Sequence, residues 1–147
     1  MIFLDTSLMV AAFIVSHPHY DDSRRLLASC QPVHASASLH SLAELYATVT
    51  RMPLFPRPTP DDVLVFIESI RSKLTWVELS QQNYLRTLSA CAKSNVQGGR
   101  IYDALIFSAA EQANAKIVYT WNLKDFKPLA QNVPISIRSP DLYDPRD

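Results

Sequence analysis

Apolar residues along the chain fall into two patterns: short unbroken runs that halt at polar residues, and longer stretches in which they recur at helical spacing. The run Ile2-Phe3-Leu4 stops at Asp5, and Lys116–Thr120 (KIVYT) stops at Thr120-Trp121-Asn122. Unbroken apolar runs this short suit strands buried on both faces, as in parallel sheets. Thr75–Leu79 (TWVEL), Val33–Ala35 and Pro134–Arg138 (PISIR) read as further short strands, the last at a sheet edge. Between them the helical pattern predicts Leu8–Val15 with caps at Asp5 to Ser7, then His19–Cys30 with Pro18 at its start and Asp21 and Asp22 in the first turn. Ser38–Arg51 follows on Leu42, Leu45, Tyr46 and Val49, with His40, Ser41, Glu44, Thr48 and Arg51 on a more polar stripe.

Met52–Pro60 carries four prolines in nine residues and is a stiff loop. Thr59-Pro60-Asp61-Asp62 then combines a hydroxyl cap, a proline and acids at a helix start, predicting a helix to about Lys73. Ser80 caps a helix to about Lys93, and Gly98-Gly99 closes that connection. Asp103–Asn114 and Phe126–Ala130 complete the helices. Strands alternating with helices predict an α/β layered fold, a parallel sheet with helices on both faces. The whole chain, 1–147, reads as one domain, with a polar, proline-bearing tail expected to be loose from about residue 139.

Composition narrows the function classes. Fourteen basic residues balance fourteen acidic ones, which counts against a non-specific nucleic-acid binder driven by net charge while leaving room for a local patch. The only two glycines are adjacent, so neither a P-loop nor a dinucleotide-binding fingerprint is present. No G-x-S-x-G elbow exists for a serine hydrolase. His17 and His19 have no Cys or His cluster beside them, which argues against zinc, and His34 and His40 read as surface or supporting residues. No stretch approaches the roughly 18 apolar residues of a membrane span. The N-terminus lacks the pattern of a signal peptide, and Cys30 and Cys91 suit reduced, buried thiols. A cytoplasmic protein is expected.

Four positions carry candidate chemistry: Asp5 after the first strand, Glu44 on the polar helical stripe, Asp103 at a helix start, and Asn122 after KIVYT, with Asp125 three residues on. Singly each has an ordinary role. Asp5 and Asp103 suit N-caps, Glu44 suits a solvated helix face or a capping box with Ser41, and Asn122 suits a turn. Jointly they matter: if the strands ending at Asp5 and Thr120 are neighbours, their carboxyl ends share the crevice where open α/β sheets bind ligands. Oxygen ligands crowded there repel one another unless a cation neutralises them. Mg²⁺ or Mn²⁺ is the natural partner of such a hard set, and divalent ions are the usual device for phosphodiester cleavage.

MIFLDTS, the helix bearing Ala43 and Glu44, the run Ile101–Ile106 (IYDALI), and Thr120–Phe126 (TWNLKDF) together resemble a PIN domain, and more narrowly the VapC-type ribonuclease toxins of toxin–antitoxin pairs. The four blocks fall in the family's order across nearly the whole chain. The resemblance implies a three-layer, Rossmann-like α/β fold with four to five parallel strands. It further implies a Mg²⁺- or Mn²⁺-dependent endoribonuclease, usually a homodimer, held inactive by a small VapB-like antitoxin encoded nearby. Asp5, Glu44 and Asp103 match the family's acidic positions, Thr6 the hydroxyl that follows the first Asp, and Asn122 a position held by Asp or Asn. A neutral Asn122 leaves the fourth ligand open between itself and Asp125, while Thr120 either positions a water or phosphate or caps the strand end. Arg51, Arg100 and Lys124 are candidate RNA contacts, each otherwise an ordinary surface charge. Two other readings compete: a PIN-like module that binds RNA or protein without cutting, and, more weakly, a phosphotransfer domain, whose D-x-D or paired-acid pattern the first strand lacks.

Overall fold

The computed structural model describes residues 1–146. The elements run β1 (Ile2–Leu4), α1 (Thr6–Phe13), α2 (Tyr20–Ser29), β2 (Ala35–Ser38), α3 (His40–Arg51), α4 (Pro60–Arg71) and β3 (Thr75–Val77). They continue with α5 (Gln81–Lys93), α6 (Arg100–Gln112), β4 (Ile117–Tyr119), α7 (Leu123–Leu129), β5 (Ser136–Arg138) and a short 3₁₀ turn at Pro140–Leu142. The strands form one sheet in the order β3-β2-β1-β4-β5, every pairing parallel. The chain therefore builds outward from β1 in one direction, returns, and builds outward in the other. The reversal falls between β1 and β4, where Leu4 lies opposite Tyr119. Asp5 N donates to Tyr119 O at 3.0 Å, carrying the ladder one residue past β1.

Strand side chains alternate between two faces, and the core divides accordingly. Ile2, Leu4, Ile117 and Tyr119 pack with Leu8, Met9, Leu45, Val49, Val63 and Ile70 of α1, α3 and α4. Phe3 and Val118 pack with Ile106, Phe107 and Phe126 of α6 and α7 on the other face. Burial on both faces is why these strands read as unbroken apolar runs.

Several boundaries differ from the expectations, each for a physical reason. β2 is Ala35–Ser38 rather than Val33–Ala35: Val33 is exposed, while the ASAS tetrad is wholly buried between elements of both layers. Small side chains are poor strand formers by propensity, but a crowded central position overrides it. α3 consequently begins at His40, whose N–H is accepted by Ser38 Oγ at 3.2 Å. α2 begins at Tyr20, with His19 as its N-cap, so Pro18 lies outside it. α6 starts at Arg100, capped by Gly99, which places Asp103 inside the first turn rather than at the cap. Gly98 makes that entry at φ +61°, a conformation that favours glycine. α7 starts at Leu123, ahead of the expected Phe126. The tail expected to be loose instead docks: Pro140 is buried, Tyr143 packs edge-on against Tyr119, and Ser29 Oγ donates to its hydroxyl at 2.7 Å. Thr59 forms the expected capping box with Asp62.

Candidate active site

The carboxyl ends of β1 and β4 open into a cavity of about 270 Å³ lined by Asp5, Glu44, Asp103 and Asn122, with Thr6, Ser7, His17 and Trp121 among its other walls. Each acid reaches it from a different element. Asp5 is fixed by the end of β1, and it also caps α1, accepting from Ser7 N at 3.2 Å. Cap and site residue are here the same side chain. Two hydroxyls donate to the same carboxylate oxygen, Oδ2: Ser7 Oγ at 2.6 Å and Thr120 Oγ1 at 2.7 Å. Thr120 is itself fully buried and accepts from Asn122 N at 2.8 Å. Glu44 Oε2 accepts from Thr6 Oγ1 at 2.7 Å, which ties α3 to α1. Asn122 Nδ2 donates to Asp103 Oδ2 at 3.5 Å, a long contact.

The electrostatics follow from this crowding. Burial pushes the Asp5 carboxyl above its ordinary value even though Ser7 and Thr120 pull it down. Burial also raises Glu44, with the Asp5 charge adding to it and Thr6 opposing. Asp103 is pushed up to about 7, first by burial and then by the charges of Asp5, Asp125 and Glu44. All three acids thus bind protons more readily than free carboxyls, as mutually repelling groups in a partly dry crevice must.

A hard divalent cation fits this donor set, because oxygen ligands whose charges oppose one another are what it relieves. Among the described residues, no three His, Cys, Asp or Glu side chains converge tightly enough to enclose an ion directly. The match is to an ion that keeps part of its water shell, as Mg²⁺ commonly does.

The remaining sequence candidates lie around this centre. Asp125, in the first turn of α7, pairs with Arg100 at 3.5 Å while still acting on Asp103 through its charge. Arg100 lines a different and larger concavity of about 810 Å³ between α5, α6 and α7, which the acids do not reach. Arg51, in the last turn of α3, and Lys124 are exposed outside the acidic cavity. The sequence reading missed Ser7, although it lies in the same block as Asp5. Ser7 Oγ both donates to Asp5 and accepts from Trp121 N at 3.0 Å, joining the two strand ends.

The same frame occurs in known proteins. The PIN domain family profile matches residues 2–130. This chain belongs to the PIN domain family. Ribonuclease VapC40 of Mycobacterium tuberculosis is 33% identical over 118 residues, covering 80% of this chain and 84% of that protein. Among solved structures, the crystal structure of Mycobacterium tuberculosis VapC20, a Sarcin-Ricin loop cleaving toxin, superposes with a TM-score of 0.71 at 16% identity, covering 92% of this chain and 98% of the other. VapBC2 from Rickettsia felis, bound to a DNA fragment from its promoter, gives 0.64 at 23% identity, covering 98% and 100%. The matched residues include Asp5, Glu44, Asp103, Asn122 and Asp125.

Proposed function

We propose that this chain is a divalent-metal-dependent endoribonuclease, the cytoplasmic toxin of a type II toxin–antitoxin pair. The observation that carries the reading is the joint crowding of Asp5, Glu44 and Asp103 at the sheet's reversal point, expressed in the raised proton affinity of all three. Asp5, Glu44 and Asp103 would hold Mg²⁺ or Mn²⁺, with Asn122 or Asp125 completing the set. When bound, the ion supplies Lewis acidity toward a phosphodiester and cancels the negative field that would otherwise repel it. The hydroxyls do the positioning: Ser7 and Thr120 fix Asp5, and Thr6 fixes Glu44. The family relationship to a VapC ribonuclease supports RNA as substrate, and the similarity to toxin–antitoxin complexes supports a small VapB-like antitoxin as partner. No described helix is long and apolar enough to cross a membrane.

The test is cleavage of RNA by the purified chain with Mg²⁺ or Mn²⁺, with EDTA, and by Asp5→Asn and Asp103→Asn. Wild type is expected to cut only with metal, and both variants to fold and not cut. Equal cleavage by wild type and variants would remove the assignment. The neutral Asn122 beside the three acids and the balanced overall charge also suit a module that grips RNA without cutting. Calorimetric titration with Mn²⁺ separates the two, since such a module takes up no metal.

A further inference from the structure

Two aromatic stacks stand beside the acidic crevice. The His19 and Trp121 rings lie 3.7 Å apart and 10° from parallel. Those of His40 and Tyr102 lie 5.3 Å apart at 17°. Neither Trp121 nor Tyr102 belongs to either hydrophobic core cluster. His19 is exposed and Tyr102 is 47% exposed, leaving ring surface open to solvent.

Their placement follows from the sheet. Trp121 leaves the end of β4 and His40 follows the end of β2, and β1, ending at Asp5, lies between those strands. The stacks therefore flank the acids on opposite sides. Each is bonded in sequence to the site: Trp121 precedes Asn122, Tyr102 precedes Asp103, and His40 lies one helical turn before Glu44, close enough for its charge to act on that carboxyl. Trp121 is also held rigidly, its Nε1 donating to the buried Ser23 Oγ at 2.9 Å and its backbone N–H to Ser7 Oγ. A ring already fixed loses little freedom when something stacks on it.

We propose that the His19–Trp121 and His40–Tyr102 stacks are platforms for unpaired RNA bases on either side of the phosphodiester presented to Asp5, Glu44 and Asp103. The proposal rests on the ribonuclease reading and concerns how the bases beside the cut are held. A paired A-form helix keeps its base faces inside the stack, whereas splayed bases of a single strand offer theirs to aromatic side chains. Stacking is also the contribution this chain most needs. Its formal charge is balanced, and Arg51, Arg100 and Lys124 lie outside the acidic cavity, so phosphate attraction alone is weak.

The experiment is steady-state cleavage of a short single-stranded RNA by Trp121→Leu and Tyr102→Leu, with Trp121→Phe and Tyr102→Phe as ring-retaining partners and thermal unfolding as the folding control. Each Leu variant is expected to raise KM roughly tenfold, the loss of one stacked base, with kcat little changed, and the Phe variants are expected to recover most of it. An RNA abasic beside the cut should raise KM for wild type and add nothing in the matching Leu variant. Unchanged KM in both Leu variants overturns the proposal, as does a loss confined to kcat, or an abasic penalty as large in the variants as in wild type. If wild type cuts no RNA, the ribonuclease reading fails by itself. Stacking is then read from quenching of Trp121 fluorescence in a Trp76→Phe background: quenching by a single strand but not by its duplex sustains the platforms, and none by either removes them.

Discussion

Replacing Asp103 by Asn should stabilise the metal-free protein at alkaline pH while abolishing the response to metal. The reasoning starts from the neighbours: burial and the charges of Asp5, Asp125 and Glu44 move the carboxyl from 3.8 to about 7. A raised acid holds its proton more tightly folded than unfolded, so its stabilising contribution is full below 3.8 and is lost as pH climbs through about 7. Taken whole, the shift is worth on the order of 4 kcal/mol. Asp103 is only half-buried, and solvent screening reduces that to on the order of 1–2 kcal/mol. For a chain of this size that corresponds to roughly 3–6 °C in unfolding temperature. Asn mimics the protonated carboxyl, keeps an oxygen to accept from Asn122, and carries no charge. Calorimetric unfolding in EDTA should find wild type and Asp103→Asn alike near about pH 4 and the variant more stable at about pH 8. Taking the difference between the two proteins cancels titrations elsewhere, including the depressed carboxyls of Asp62 and Asp144. Adding Mg²⁺ at the higher pH should then raise the wild type and leave the variant nearly where it was. Identical curves at both pH values, or a wild type indifferent to the metal, would refute the picture of repelling acids awaiting a cation.

Thr120→Val removes a 2.7 Å bond to a buried carboxylate. It should cost about 1–3 kcal/mol in denaturant unfolding at neutral pH and weaken Mn²⁺ binding in calorimetry. Phe3→Ala empties a fully buried position under α6 and α7 and should cost about 3–5 kcal/mol by the same unfolding measurement. Thr59→Ala breaks the capping box of α4, far from the acids. It should lower stability by about 1 kcal/mol with RNA cleavage, measured alongside, unaffected.

Much of the layout was legible in the residues because burial on both faces leaves an unmistakable mark. β1 and β4 announced themselves as apolar runs, and the acids or amides that end them sit where open sheets gather ligands. The Thr59 cap was equally plain, being a purely local signal. What escaped notice was non-local. β2 is built of Ala and Ser because helices press on it from both layers, and nothing in a four-residue window records that pressure. The tail looked loose because its composition is polar, yet Tyr143 finds Tyr119 and Ser29 from far along the chain. Ser7 was in plain view beside Thr6, but its link to Trp121 exists only once β1 and β4 lie together.

β2 also has a consequence for how this molecule can change over generations. Its four small side chains work as a shim between the helix that carries Glu44 and the helix that carries Asp103. A single Ala37→Val would cost about 1–3 kcal/mol by overfilling its site, and it would wedge those helices apart, widening the acidic crevice without altering one of its carboxylates.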